Sequence, residues 1–129
     1  MSVLALDYGS ARTGVAVSDP TRTIAVPLEV VERAAMPAGL RRIGEIVRER
    51  GAQRVIVGLP LTLRGEHGEQ ARETDAFVTL LRDALEVPVE TYDERFTTAL
   101  AARASGGAPE DARAAAHLLE SYLERAAER

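Results

Sequence analysis

Three acidic positions stand at the ends of regular segments in this sequence. Asp7 closes the apolar run Val3 to Leu6, Asp93 and Glu94 follow the run Pro88 to Tyr92, and Asp111 opens the Ala-rich stretch Glu110 to Ala127. If the first and last β-like runs are sheet neighbours, their carboxyl ends bring Asp7 beside Asp93 and Glu94. The final helix then lays Asp111 across the same corner. Crowded carboxylates repel and raise one another's pKa. A hard divalent cation resolves that conflict, because Mg²⁺ and Mn²⁺ take oxygen ligands and keep some of their waters. Two such ions activate water and neutralise charge in phosphodiester cleavage. Each acid also has a plainer reading. Asp7 suits a strand-end turn, Asp93 and Glu94 suit a charged surface before a helix, and Glu110 or Asp111 suits a helix start, where it complements the dipole.

The segment Asp7-Tyr8-Gly9-Ser10-Ala11-Arg12-Thr13-Gly14 is the strongest local signal. Gly9 and Gly14 permit a tight reversal and close backbone approach. An Asp before such a turn can hold a metal against a phosphate, in phosphotransferases as well as nucleases, and Arg12 is placed to meet that phosphate. Gly58-Leu59-Pro60-Leu61 followed by Gly65 makes a stiff and then flexible loop. It reads as a strand-to-helix connection or as a substrate rim carrying Thr62, Arg64 and His67. Asp93-Glu94-Arg95-Phe96-Thr97-Thr98 sets acid, base and hydroxyls at a strand end. There Arg95 can neutralise the carboxylates or contact a phosphate, and Thr97 or Thr98 can cap the next helix. His67 reads as a solvated loop residue and His117 as packing in an apolar helix. Ser10 and Ser18 have no His-based activation nearby, which disfavours a serine hydrolase.

The elements that must position these groups follow from hydrophobic periodicity. Val3 to Leu6, Thr13 to Ser18 and Ile24 to Val31 read as three short strands in an antiparallel meander, with Pro27 suited to an edge or a bulge. Met36 to Arg50 switches to helical spacing through Leu40, Ile43, Ile46 and Val47, and Gly51 closes it. Arg54 to Gly58 is nearly unbroken apolar sequence, as in a strand buried on both faces. Glu69 to Leu85 is a second amphipathic helix with Ala71, Phe77, Val78, Leu81 and Leu85 inward. Pro88 to Tyr92 is a strand, Phe96 to Ala104 a short helix, Ser105 to Pro109 a breaker, and Glu110 to Ala127 the last helix. Strands first in hairpins and then alternating with helices predict a mixed five-stranded sheet, three antiparallel strands and then two parallel ones, with helices on both faces. Ligands in such sheets gather at the strands' carboxyl ends.

The 129 residues make one domain, 1–129, long enough to bury a core. The 46% hydrophobic and 28% charged content excludes disorder. Without cysteine the chain has no disulfide, zinc finger or thiolate nucleophile, and without Trp and with only 4% aromatics, base stacking on rings cannot dominate. No basic leader and no long apolar window is seen, so we expect a cytoplasmic protein without membrane contact. A net charge of -4 argues against non-specific coating of nucleic acid but leaves room for a local basic groove. All 16 cationic residues are Arg, which fits a GC-rich coding sequence and also suits phosphate recognition.

Taken together, Leu4-Ala5-Leu6-Asp7-Tyr8-Gly9 with Arg12-Thr13-Gly14-Val15-Ala16-Val17-Ser18-Asp19, then Val57-Gly58-Leu59-Pro60-Leu61 with Gly65, then Asp93-Glu94-Arg95-Phe96-Thr97-Thr98, and finally Asp111, Ala114-Ala115 and Leu118-Leu119-Glu120-Ser121-Tyr122-Leu123 resemble the YqgF/RuvX family. The four blocks occur in order over nearly the whole chain. The resemblance implies an RNase H-like fold related to RuvC-type Holliday-junction resolvases. It also implies a bacterial cytoplasmic nuclease that processes the 5′ end of precursor 16S rRNA. The family's acidic site falls here on Asp7, the Asp93-Glu94 pair and Asp111. Alternation along Val89, Thr91 and Asp93 favours Asp93 as the ligand of that pair, while a twist at the strand end would favour Glu94. Thr62 stands where the family commonly has Asn and Arg64 where it often has Asp, which should alter rim contacts and leave the metal site intact. The Leu100 to Asp111 connection is short, with Arg103 as its only basic residue, where relatives often carry a longer basic loop.

The reading that unites these features is a metal-dependent endonuclease. Asp7, Asp93 or Glu94, and Asp111 would hold Mg²⁺ or Mn²⁺. Arg12, Thr62, Arg64, Arg95 and Thr98 would contact the nucleic acid. Precursor rRNA, with ribosomal particles as partners, competes with four-way DNA as substrate. A resolvase would act as a dimer, an rRNA processor as a monomer or homodimer. Two readings of another class are a nucleotide phosphotransfer domain, to which the Asp7-Gly9-Gly14 turn also points, and a non-catalytic ribosome-assembly factor.

Overall fold

A computed structural model describes residues 2–21, 23–96 and 109–127. The first three segments form β1 (Ser2–Asp7), β2 (Arg12–Ser18) and β3 (Ala25–Glu32). They are followed by α1 (Pro37–Arg50), β4 (Ala52–Leu59), α2 (Glu69–Ala84), β5 (Val89–Asp93), a single 3₁₀ turn (Glu94–Phe96) and α3 (Glu110–Ala127). The short helix expected over Phe96 to Ala104 lies outside the described residues beyond that turn.

The five strands make one mixed sheet in the order β3-β2-β1-β4-β5. β1 and β3 pair antiparallel with β2, whereas β4 pairs parallel with both β1 and β5. The first and last strands are therefore not neighbours, contrary to the arrangement considered from sequence. β4 separates them, and its composition says why. Val55, Ile56 and Val57 are fully buried, so β4 needs cover on both faces and paired edges on both sides. β5 is five residues long with partly exposed side chains, and takes the edge. Pro27 meets both expectations made for it. It lies on the opposite edge strand, and the pairing steps from Val15↔Glu29 to Ala16↔Pro27, leaving Leu28 as the extra residue of a bulge.

Alternation along the strands divides the core in two. Leu4, Leu6, Val15, Val17, Val55 and Val57 pack with Ile43 and Ile46 of α1 and Phe77 and Leu81 of α2. Val3, Ala5, Ala16 and Ile56 face α3 through Ala115, Leu118, Leu119 and Leu123. Alanines on both sides of the second interface let α3 lie close to the sheet. Each fully buried Leu, Ile or Phe contributes about 1.5–3 kcal/mol relative to exposure, so helices on both faces are what the two apolar faces require. On the first face the Tyr8 ring stacks on Phe77, with centroids 4.2 Å apart. At the amino end of β1, Ser18 Oγ accepts the buried Val3 N–H at 2.8 Å. No helix among the described residues is long and apolar enough to cross a membrane.

Candidate active site

The face that α3 covers carries the acidic residues at the sheet's carboxyl end. Val3 and Ala5 point to α3, so Asp7 follows them onto that side. Asp7 pairs with Gly14 of β2, which follows Ala16 in the same alternation. On the other flank Leu6 pairs with Val57, and Gly58 pairs with Tyr92 of β5. Glu94, one residue past β5, reaches back across β4 and hydrogen-bonds the Asp7 carboxyl. The route exists because residue 58 has no side chain. A Cβ there would stand 2.5 Å from Glu94 Oε1.

Gly14 does the same for Asp111. A Cβ at position 14 would run into the Asp111 carbonyl and the Ala112 nitrogen, so the first turn of α3 rests directly on the β2 backbone. That contact carries the Asp111 carboxylate close enough for Asp7 to feel its charge. Arg12, at the start of β2, holds Asp111 through Nε at 3.3 Å from Oδ2. Asp7 is therefore flanked in the sheet by two glycines, one admitting a side chain and the other a helix.

The electrostatics follow from this crowding. Burial pushes the Glu94 carboxyl up to about 7, and the charge of Asp7, its hydrogen bond and the charge of Asp93 add to the effect. Asp7 is also raised, chiefly by burial. One proton shared by two half-buried carboxyls is the outcome expected where like charges meet in a low dielectric. Among the described residues no three His, Cys, Asp or Glu side chains converge as a metal-holding group. The donor set is nonetheless two adjacent carboxylates that burial and repulsion leave short of positive charge, with the Asp111 charge within range of Asp7. That fits a hard cation such as Mg²⁺ or Mn²⁺, which binds through one or two carboxylates and retains waters.

Asp93 lies elsewhere. Alternation does group it with Val89, but Val89 belongs to the core face of α1 and α2, opposite to Asp7. Its carboxylate takes the Arg95 side chain, with Arg95 Nη2 at 2.6 Å from Oδ2, and this hydrogen bonding holds it below the usual range. Tyr92 packs against α3, so the same alternation carries Glu94, not Asp93, onto the side of Asp7.

Thr62 and Arg64 sit exposed on the loop between β4 and α2, where Thr62 Oγ1 accepts the Glu66 N–H at 3.1 Å. His67 stands on the same loop, its Nε2 3.5 Å from Asp75 Oδ2. His117 is only 5% exposed, within the α3 packing. Thr98 lies outside the described residues. What sequence reasoning missed is the part played by Gly58. The signal was present, since a glycine at the end of an otherwise apolar buried strand marks close approach by another group.

The class this architecture defines is an RNase H-like domain, a mixed five-stranded sheet with an acidic pair at the carboxyl end of its first strand. The chain aligns with RuvC from Thermus thermophilus in complex with a Holliday junction substrate at a TM-score of 0.69. That alignment spans 99% of this chain and 96% of that one at 20% identity, which establishes the shared fold. Residues 1–125 match the RuvX family, described as Holliday junction resolvase, and the chain belongs to that family. A relative from Rubrobacter xylanophilus, named "Putative pre-16S rRNA nuclease", is 48% identical over 95% of this chain and 91% of its own length. One of the same name from Chloroflexus aggregans is 46% identical over 78% of this chain and 70% of its own.

Proposed function

We propose that this chain is a metal-dependent endonuclease that hydrolyses nucleic-acid phosphodiester bonds and trims the 5′ end of precursor 16S rRNA in the cytoplasm. The observation that carries the reading is the Asp7–Glu94 pair, built at the sheet's carboxyl end, with the Asp111 carboxylate held by α3 within range of the Asp7 charge. The names of the relatives support the rRNA substrate.

Asp7 and Glu94, with Asp111, would hold Mg²⁺ or Mn²⁺. A bound ion supplies an activated water and neutralises charge on the scissile phosphate. The chain's own groups do the rest. Asp7 and Glu94 give up their shared proton as the site fills. Arg12, standing at the mouth beside Asp111, and Arg64 with Thr62 on the rim orient the backbone so that the P–O3′ bond is the one that breaks. The family description supports a second reading, resolution of four-way DNA, whose two symmetric cuts would call for a homodimer.

The test uses purified protein with Mn²⁺, a precursor 16S rRNA leader and a four-way DNA junction, beside Asp7→Asn protein. Metal-dependent cutting of the RNA that the variant lacks supports the proposal. Paired symmetric cuts in the junction replace it with the resolvase. Cleavage of neither, or equal cleavage by the variant, removes the carboxylate site from the reading and returns it to a binding role in ribosome assembly. A thermal shift on adding ATP would point instead to phosphotransfer.

A further inference from the structure

The Arg95 side chain is fixed at two ends. Its Nε lies 3.0 and 2.9 Å from the two Asp93 carboxylate oxygens, and its Nη2 lies 2.6 Å from Oδ2. The Arg95 backbone N–H also donates to Asp93 Oδ1, at 2.9 Å. From the far side of the guanidinium, Nη1 donates to the Leu63 carbonyl at 3.2 Å. The group also lies over Gly65, where a Cβ would stand 3.3 Å from Nη1. The loop so reached is itself closed. Gly65 N–H donates to the Thr62 carbonyl at 2.8 Å, and Thr62 N–H to the Glu66 carbonyl at 3.0 Å.

This bridge does not serve the core. Leu63 is 95% exposed, so holding its backbone buries no apolar side chain. The bridge does span the site. Glu94 sits in the chain between Asp93 and Arg95, so the fork that pins the loop also brackets the residue paired with Asp7.

We propose that Asp93 and Arg95 form a strut that sets the loop over residues 61–66 at a fixed place relative to the Asp7–Glu94 pair, making it a preformed guide for the entering nucleic-acid strand. Asp93 is then a positioning residue and not a metal ligand. A planar guanidinium is required, because a lysine ammonium cannot engage both carboxylate oxygens and a carbonyl on its opposite side. The guide function rests on the nuclease reading, and the strut stands apart from it.

Two measurements on the full chain test this, with wild type, Asp93→Asn, Arg95→Lys and Asp7→Asn. Hydrogen exchange at the Thr62 and Gly65 amides should quicken about tenfold or more in Asp93→Asn and Arg95→Lys, as local opening becomes easier, and stay at the wild-type rate in Asp7→Asn. On whichever substrate the wild type cuts, Asp93→Asn should raise KM several-fold with a smaller loss in kcat. If Arg95 served only as a direct phosphate contact, freeing it by Asp93→Asn would leave KM unchanged or lower it, which overturns the guide. Unchanged exchange in both strut variants overturns the strut. Abolished cleavage in Asp93→Asn with protected loop amides does so too, by making Asp93 part of the reacting centre. A wild type that cuts nothing while its loop amides respond to both variants retains the strut and defeats the nuclease reading alone.

Discussion

Gly58 is the gap through which Glu94 meets Asp7. Asp7 ends β1 and Glu94 follows the end of β5, two strands that do not touch, and β4 runs between them. At any other residue in position 58 a Cβ would fall 2.5 Å from Glu94 Oε1 and 3.0 Å from a Leu118 methyl.

Gly58→Ala should therefore push Glu94 off Asp7 without removing either acid. Overpacking of this kind costs roughly 1–3 kcal/mol. Cleavage should fall at least about tenfold, the loss expected when a reacting group is misplaced by an ångström or less. Thermal unfolding and metal-dependent cutting, measured side by side, check it. Undiminished cleavage would mean that Glu94 does not need its present place.

Gly14→Ala should be worse. The added methyl meets helix backbone, not the movable end of a side chain, so α3 must lift from β2. We expect a destabilisation at or above the upper end of the ~1–3 kcal/mol range for overpacking. Loss of the Arg12–Asp111 ion pair should accompany it. Far-UV dichroism on heating reads the first, and Arg12→Ala provides the comparison. That pair is exposed, so breaking it alone should cost no more than about 1 kcal/mol.

Stability of the metal-free protein should depend on pH in a direction opposite to that of an ordinary salt-bridged acid. The Glu94 carboxyl is raised in the folded state, to about 7, so folding favours its protonated form. The unfolded chain releases that proton near the normal carboxylate pKa. The stabilisation is thus complete below about pH 4, at the ordinary Glu value, and is lost as pH rises through about 7. In EDTA, Tm should fall between pH 5 and pH 8, by conventional settings for such a scan, and Glu94→Gln should flatten the slope. Mn²⁺ should raise Tm more at the alkaline end, because the ion competes with the proton. A flat wild-type profile in EDTA would contradict the shared proton.

Ser18→Ala tests the fold away from the site. Its hydroxyl is the acceptor for the buried Val3 N–H. Leaving that donor unsatisfied should cost about 1–3 kcal/mol. Cleavage measured well below the lowered Tm should match wild type, and an equally large loss of activity would show that the amino end of β1 is coupled to its carboxyl end.

Much of this molecule was legible in the residues alone. The periods of Val3 to Leu6, Ile43 to Val47 and Phe77 to Leu81 set strands and helices, because burying one face of a strand or helix imposes that spacing. Unbroken apolar sequence at Val55 to Val57 marks a strand covered on both sides, and Asp7, the Asp93-Glu94 pair and Asp111 stand out as acids at element ends. Tertiary structure alone decided which acids meet. Periodicity records which face a side chain takes within its own strand. It does not record which strand comes next in the sheet, nor which helix layer each face of a strand will meet. Whether Asp93 or Glu94 faces Asp7 depends on which face of β5 meets α3, the face of Tyr92, and on the space at Gly58, on a strand more than thirty residues away. The Arg95 bridge to Leu63 was hidden for the same reason, since a side chain's partner across a loop is a matter of distance in space.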